Sequence, residues 1–292
     1  MNIFLQQVIN GLNAGSIYAL VAIGYTMVYG ILKLINFAHG EIMMFGAYFA
    51  YIAAVFFGWP FYVVILFSGC VTAFLGFLVE FIAYRPLRNA PRLSMLITAI
   101  GMSMFLQNLA RLIFGADPIV MPKIFPSAIF NIGGIDVSSV TLITIGLSVA
   151  MMILLQLFIK NTKQGRAMRA VSENQDAAVL MGIDVNKTIS LTFIIGSALG
   201  ALGGILYSTA YITISPTMGT MPGLKAFIAA VLGGIGSIPG AMLGGFIIGM
   251  FETLIKAYIS TTWADAIVFA LLIIVLVVKP TGILGKNVKE KV

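Results

Sequence analysis

The sequence has little charge for its length. Only 9% of its 292 residues are charged and 60% are hydrophobic, whereas a soluble domain carries about 25% charged residues. So few charges cannot cover a water-facing surface of this size, which excludes a soluble enzyme, a nucleic-acid-binding domain and a disordered chain. The apolar content instead suffices for about eight to ten membrane-spanning helices of about 20 residues each. We predict an all-α, polytopic integral membrane protein in which residues 1–292 form a single transmembrane domain and some helices are broken.

Cysteine, histidine and catalytic motifs are also scarce. One cysteine, Cys70, excludes an internal disulfide and a multi-cysteine metal site, and one histidine, His39, argues against a histidine metal site. The sequence contains no GxxxxGK[ST], HExxH, GxSxG or CxxC motif. We therefore expect neither an enzyme nor a chain with its own cofactor or metal. The first charge is Lys33, so the first apolar segment lacks the basic start of a signal peptide and is expected to remain as a helix.

The apolar residues fall into nine segments separated by polar or glycine-rich connections. The seventh is short enough to be a re-entrant or broken helix. A loop at about 115–138 and a second, more charged loop at about 160–188 separate the fourth, fifth and sixth segments. The nine segments are residues 8–31, 36–57, 61–84, 93–114, 139–159, 189–212, 222–235, 240–258 and 263–278.

The distribution of basic residues predicts an orientation. If all nine segments cross, one face receives only four of the 17 basic residues, which are Arg111, Lys123, Lys225 and Lys256. Because Lys and Arg concentrate in cytoplasmic loops, the other face is predicted to be cytoplasmic. The N-terminus would then lie outside, and the charged tail at 286–292 would lie inside.

The loop at 160–188 contains the signals of a short helix. Residues 172–175 fit a capping box, an apolar run follows, and Gly182 is a natural helix end. One interpretation is a plain solvated connector with positive charge. The other is a docking element for a cytoplasmic partner, because Leu180 and Met181 on the water side would need to be covered.

Several polar or helix-breaking residues lie within apolar segments. Ionisable groups inside a membrane are functional candidates, although His39 and Glu41 do not share a helix face, so no specific His–Glu pair is implied. The glycine-rich run at 233–245 breaks a helix and should be buried or line a cavity. Two such breaks in corresponding halves are typical of a transport pathway. The candidate pathway or gating residues are Asn36, His39, Gly40, Glu41, Gly236, Ser237 and Pro239.

Other patterns concern packing and buried acids. Many of the 31 glycines stand four apart, as in Gly11/Gly15 and Gly245/Gly249, which predicts close helix packing in lipid. Glu80 and Glu252 each lie in an apolar segment and would be proton acceptors in a secondary transporter. Glu252 and Lys256 are four residues apart, so a plain helical ion pair is the alternative interpretation.

Five stretches together resemble a known family. They are GLNAGSIYALVAIGYTMVYGILKLINFAHGEIMMFGAY, AYRPLR, GRAMRAVSENQDAAVLMGIDVNK, GALGGILY and GLKAFIAAVLGGIGSIPGAMLGGFIIGMFE. They span nearly the whole chain, and NFAHGE and the GRAMRA loop are specific. The sequence resembles the membrane permease subunits of high-affinity branched-chain amino acid ABC importers, the Liv family, and within it the LivH type.

The resemblance implies one part of a larger assembly in a bacterial cytoplasmic (inner) membrane. Such a permease pairs with a second related permease, two cytoplasmic ATPase subunits that bind ATP and Mg²⁺, and a periplasmic or lipid-anchored amino-acid-binding protein. It implies import of leucine, isoleucine and valine, while related permeases move other amino acids, amides or urea. A stand-alone secondary transporter or channel for a small polar solute, using Glu41 or Glu252, stays open as the alternative. The resemblance assigns ATPase coupling to Gly165, Arg166, Arg169, Ala177, Ala178 and Gly182.

Overall fold

The computed structural model describes residues 2–33, 35–88, 90–126, 128–132, 135–279 and 281–285. These residues form a helical protein, which confirms the predicted fold class, and nine of the helices coincide with the nine predicted apolar segments. The helices are α1 (Asn2–Leu32), α2 (His39–Val55), α3 (Phe61–Val79), α4 (Arg92–Phe114), α5 (Ser139–Asn161), α6 (Lys163–Glu173), α7 (Gln175–Leu180), α8 (Val185–Tyr211), α9 (Thr220–Gly233), α10 (Ile238–Tyr258) and α11 (Ala264–Val278).

Six of the described helices are long and apolar enough to cross a membrane. They are Ile3–Leu32, Phe61–Leu87, Leu93–Phe114, Ser139–Asn161, Val185–Tyr211 and Ile238–Tyr258. The second of them includes a π-helical turn (Glu80–Tyr84) and a 3₁₀ turn (Arg85–Leu87) that extend α3. The other three predicted segments form shorter helices: α2, α9 and α11 have 17, 14 and 15 residues, below the roughly 20 needed for a full span.

The core is built around α1 and α8. The apolar windows of these two helices are 83% and 72% buried, whereas those of α3, α4 and α5 are only 28%, 22% and 17% buried. A helix that is apolar all round is suited to the centre of a bundle. Helices α3, α4 and α5 therefore lie at the periphery, with α1, α2, α8 and α9 inside.

Glycine allows α1 and α10 to pack with their backbones in contact. A Cβ added at Gly11 would lie 3.0 Å from the Met250 Cα, and one added at Gly245 would lie 2.5 Å from the Ala19 Cα. Gly249 likewise faces the backbone of Gly15. The spaced glycines thus serve the close approach that the sequence predicted, because small residues let helices meet without intervening side chains.

Contacts between loops define two faces of the bundle. On one, which we call the α1-start face, the Gln6 side chain donates to the Asp136 carbonyl over 3.0 Å. There β1 (Ile119–Val120) pairs with β4 (Thr213–Ile214), and a hairpin joins β2 (Ile129–Ile132) to β3 (Ile135–Ser138).

The opposite face, which we call the α6–α7 face, carries helices α6 and α7. The Gln175 side chain donates to the Ile31 carbonyl at the end of α1 over 3.2 Å. Arg88 donates to Asn186 at the start of α8. The charged tail at 286–292, predicted to lie inside, falls outside the described residues.

Two of the short helices begin within the bundle. The His39 ring at the start of α2 packs against Gly24 and Gly200, and Gly200 lies in the middle of α8. The start of α9 meets the start of α2 where Gly219 faces Gly40. Each short helix thus follows a non-helical segment, at 35–38 and 212–219, that enters from one of the faces.

The glycine contacts give a stability prediction. We expect Gly249→Ala to destabilise the chain by about 1–3 kcal/mol, because its Cβ would overlap the Gly15 backbone and neither helix can move freely. Gly146→Ala in α5 is the matched control, since a Cβ there meets nothing within 4 Å. Thermal unfolding midpoints in detergent measure both, and equal midpoints for the two variants would contradict the packing argument.

Candidate functional site

The starts of α2 and α9 meet at a glycine contact inside the protein. A Cβ added at Gly223 would lie 2.9 Å from the Gly40 Cα, and Gly40 and Gly219 each face the other's backbone. Only residues without a side chain permit this approach. Two helix N-termini, each with a partial positive charge, are thereby brought close together. We call this contact the α2–α9 junction.

Glu41 is the acidic group of the α2–α9 junction. It is 1% exposed and lies in the first turn of α2. Its Oε1 accepts from Gln107 Nε2 of α4 at 2.8 Å and from the Thr220 hydroxyl of α9 at 3.2 Å. The Ser103 hydroxyl lies 3.4 Å from the same oxygen. Among the described residues, the second oxygen, Oε2, has no hydrogen-bond partner. A carboxylate here complements both helix N-termini.

His39 and Asn36 have packing and backbone roles. The His39 ring is buried and contacts the Tyr25 ring edge-to-face with centroids 4.7 Å apart. It does not hydrogen-bond Glu41, in agreement with the expectation from helix spacing. Asn36 Oδ1 accepts from the Tyr84 hydroxyl at 2.7 Å and from the Ala38 N–H at 3.1 Å. Asn36 therefore fixes the non-helical segment that leads into α2.

The structure does not bring Gly236, Ser237 and Pro239 to the α2–α9 junction. Gly236 and Ser237 lie in the short connection between α9 and α10 on the α6–α7 face, and Pro239 lies in the first turn of α10. The Ser237 hydroxyl accepts from the Gly240 N–H. The break that corresponds to 36–40 is instead the segment at 212–219. The glycine run at 233–240 forms the tight turn between α9 and α10. The assignment of Gly236, Ser237 and Pro239 to a transport pathway stays a prediction.

The segment leading into α2 and the glycine run at 233–240 both border one small cavity. Ile35 and Ile235 line it together with Tyr25, Tyr29, Phe227 and Ala230. Within the glycine-rich run at 233–245, Ile235 lines this cavity. Gly236 itself is exposed.

A second polar cluster lies near the α1-start face. Glu252, 2% exposed, accepts from Lys225 Nζ at 2.8 Å and from the Tyr18 hydroxyl at 2.7 Å. Lys256 also pairs with Glu252, as the i,i+4 interpretation predicted. Lys225 further contacts the Asp265 carboxylate at 2.7 Å. We call these five residues the Lys225 network.

The Lys225 network corrects one expectation. Lys225 was counted among the basic loop residues, but it is buried in α9. A buried ammonium is tolerated only with charged partners, and here Glu252 and Asp265 supply them. No local sequence pattern joins Lys225 to Glu252, because they lie on different helices.

Both carboxylate oxygens of Glu80 also have partners. It pairs with Arg88, and its other oxygen accepts from the Ser190 hydroxyl of α8 at 2.6 Å. The π-helical turn that begins at Glu80 places these groups where α3 reaches the α6–α7 face. Glu80 thus joins α3 to α8.

The segment at 160–188 folds into two short helices. Thr162 caps α6 by accepting from the Gly165 N–H, and Asn174 caps α7 by accepting from the Ala177 N–H. Ser172, the predicted cap, instead lies inside α6 and donates to the Arg169 carbonyl. Gly182 has a φ of +77° just after α7, as expected of a C-terminal glycine.

Two of the six predicted coupling residues are buried and four are exposed. Gly165 and Ala178 are buried, and Gly165 lies against the Ile159 backbone at the turn from α5 to α6. Arg166, Arg169, Ala177 and Gly182 are exposed. Beside them, Val179, Leu180 and Met181 form an apolar patch, with Leu180 88% and Met181 82% exposed.

At the end of this segment an acidic residue, Asp184, caps the start of α8. Its carboxylate accepts from the Lys187 N–H at 3.0 Å. This bond holds the pKa of Asp184 below its usual range. The start of α8 is therefore fixed next to the patch.

Comparison with known proteins identifies the family. The family described as "Branched-chain amino acid transport system / permease component" matches residues 7–276. The chain belongs to this family. As a family member it is a permease component rather than a catalytic subunit.

Several relatives within the family match almost end to end. The high-affinity branched-chain amino acid transport system permease protein LivH of Escherichia coli K12 is 47% identical, with 99% of this chain and 98% of the relative covered. The corresponding protein BraD of Pseudomonas aeruginosa is 44% identical, with 99% and 98% covered. A probable LivH of Methanocaldococcus jannaschii is 30% identical, with 94% and 90% covered.

A solved structure supports the fold. A chain of PsaBC from Streptococcus pneumoniae, determined in complex with Fab, aligns with a TM-score of 0.51 and 14% sequence identity. The alignment covers 95% of this permease and 92% of that chain. At this identity the similarity concerns the fold alone.

The Lys225 network gives a second prediction. We expect Lys225→Met to destabilise the permease by about 3 kcal/mol, because the buried Glu252 loses one of its cations. The double variant Lys225→Met/Glu252→Met should recover most of that loss, since neither buried charge remains. Lys123→Met, at an exposed loop position, is the control. Denaturant unfolding of the purified chain measures all three, and a double variant less stable than Lys225→Met would contradict the argument.

Proposed function

We propose that this permease is the transmembrane subunit of an ATP-driven importer of branched-chain amino acids in a bacterial cytoplasmic membrane. Family membership carries the proposal, together with near-complete coverage of relatives named as branched-chain amino acid permeases. The solute class is leucine, isoleucine and valine. A second related permease completes the transport pathway, and a binding protein delivers the amino acid.

The ATPase subunits dock on the α6–α7 face. The supporting observation is the patch of Val179, Leu180 and Met181, which is polar on either side and open to water in the isolated chain. An exposed apolar patch of this kind marks a protein contact. Exposed Arg166 and Arg169 border it, and ATP and Mg²⁺ would be bound by the ATPases. ATP-driven closure of the ATPases would shift the paired permeases between two rigid-body arrangements.

The orientation follows from the same contact. If the ATPases are cytoplasmic, the α6–α7 face is cytoplasmic and the α1-start face is outside, which agrees with the distribution of basic residues. With Lys225 counted as buried, the outer face has fewer basic residues than the sequence alone suggested. The N-terminus then lies outside.

The alternative of a proton-coupled carrier receives no support at Glu252 or Glu80. Glu252 is held by two lysines and a tyrosine hydroxyl, and Glu80 by Arg88 and Ser190. Both carboxylates thus serve contacts that join helices of the bundle. Glu41 has no cationic partner among the described residues, and its bonds are to neutral groups.

The docking proposal predicts a specific loss of assembly. We expect Leu180→Glu/Met181→Glu to reduce co-purification of the ATPase subunits at least about tenfold, because charged side chains would be buried in the contact. The chain itself should keep its unfolding midpoint, since both side chains are exposed. Val120→Glu is the control, exposed to a similar degree on the opposite face. Unchanged ATPase recovery with Leu180→Glu/Met181→Glu would refute docking at this patch.

A further inference from the structure

Helix α4 differs from the other peripheral spanning helices. The spans Phe61–Leu87, Leu93–Phe114 and Ser139–Asn161 are 28%, 22% and 17% buried, and their mean hydropathies are 2.3, 1.5 and 2.5. A helix that faces hydrocarbon should be strongly apolar. Helix α4 is about as exposed as α3 and α5 but considerably less apolar. Part of this difference comes from half-buried residues such as Ser103 and Gln107. On the exposed side it comes from Asn108 and Arg111, an amide and a guanidinium near the α1-start face.

One continuous stripe carries this difference. The exposed residues of α4 stand at spacings of three and four, so they lie on one face of the helix. Towards the α6–α7 face this stripe is apolar, at Leu93, Ile97 and Ile100. In the half near the α1-start face this stripe is mixed, with a glycine, an amide and a guanidinium among apolar side chains. The mixed half, which we call the mixed stripe, consists of Gly101, Met104, Phe105, Asn108, Arg111 and Leu112.

The neighbouring helices turn their hydroxyl groups inward. In α3 and α5 the side chains of Ser68, Thr72, Thr144 and Ser148 are all buried. Gln156 of α5 is exposed, but it lies five residues before the helix ends at the α6–α7 face. Exposed polar groups inside a membrane are expensive unless they face water or protein. The mixed stripe on α4 is therefore expected to face one of these.

The buried side of α4 connects the stripe to the α2–α9 junction. Gln107, next to Asn108 in sequence, donates both to Glu41 Oε1 and to the Thr220 hydroxyl, at 2.8 Å each. Glu41 Oε2 is left without a partner among the described residues. Gln107 thus ties α4 to the interior point where two interrupted helices begin, while Asn108 on the exposed side donates to the Met104 carbonyl at 2.8 Å.

Arg111 has the chemistry of a carboxylate receptor. It is exposed in the last turn of α4, and no acidic side chain pairs with it in the described part of the chain. Its Nη1 lies 3.4 Å from Asn108 Oδ1. A guanidinium presents a planar fork of donors that matches a carboxylate. An unpaired Arg111 is thus available to a passing anion.

We propose that this stripe of α4 lines the aqueous transport pathway, with Arg111 and Asn108 receiving the carboxylate of the amino acid at its outer mouth. The aliphatic side chain of the solute passes along Met104 and Phe105, which suits a zwitterion with an apolar tail. This assignment rests on the proposed function for the identity of the solute. The water-facing position of the stripe is independent of it.

Thiol accessibility tests the position of the stripe. Cys70 is the only cysteine, and Cys70→Ala provides a thiol-free parent. Asn108→Cys is compared with Gly146→Cys of α5, which is exposed and lies at a similar distance from the α1-start face. Both are assembled with their partner subunits in proteoliposomes and treated from outside with the membrane-impermeant anion 2-sulfonatoethyl methanethiosulfonate.

We expect Asn108→Cys to react at least about tenfold faster than Gly146→Cys, because a thiol in lipid does not form the reactive thiolate. Saturating leucine with its binding protein should slow the reaction of Asn108→Cys. Equal rates for the two variants would overturn the inference. A disulfide between Asn108→Cys and a cysteine in the second permease, with no labelling, would also overturn it by showing a dry interface.

Substitution of Arg111 tests recognition of the carboxylate. Arg111→Gln should lower leucine uptake by about tenfold, the loss expected for one charged hydrogen bond, while ATP hydrolysis by the assembly is retained. Arg111→Lys should restore part of the uptake. Full uptake by Arg111→Gln would refute the recognition role. If the parent assembly moves no leucine, the proposed function fails, whereas the labelling comparison still decides the position of α4.

Discussion

Every backbone polar group inside the bilayer must find a partner within the protein, and the α2–α9 junction is where this constraint is most severe. Two helices begin there, and the first N–H group of each is bonded to the preceding segment. The His39 N–H donates to the Asn36 carbonyl at 3.0 Å and the Thr220 N–H to the Thr217 carbonyl at 3.3 Å. Gly40 and Gly219 bring the backbones together, and the Glu41 side chain accepts from the Thr220 hydroxyl in the first turn of α9. The central packing of α2 and α9 against α1 and α8 depends on that arrangement.

The charged groups of this permease make different kinds of contact in the middle of the bundle and near its two faces. Glu41 is bonded to neutral donors at the junction, whereas the Lys225 network balances two cations with two anions near one face. Glu80 and Arg88 join α3 to α8 near the other face. Ion pairs at both ends thus hold the helices together, while the middle of the bundle is held by small residues.

Several site features were predictable because they depend on local sequence. Gly182 ends α7, Glu252 pairs with Lys256 four residues away, and Leu180 and Met181 are exposed. The cap of α7 was misplaced by two residues, because Ser172 and Asn174 are both good capping residues and the choice depends on where α6 ends. The partners Gln107 and Thr220 of Glu41 were missed. They lie 66 and 179 residues away, and a lone polar residue in an apolar helix does not indicate its partner.

The sequence by itself determined that the chain is a helical membrane protein of nine apolar segments, because hydrophobic runs and charge scarcity depend only on composition and order. It also determined the family, since the motifs are contiguous. Only the tertiary structure decided that the break before α9, rather than the glycine run at 233–240, meets the break before α2. Glycine has the same appearance in a sequence whether it allows a turn or a helix contact. Which of the two it serves depends on the backbone that lies opposite, and that is fixed by packing over the whole bundle.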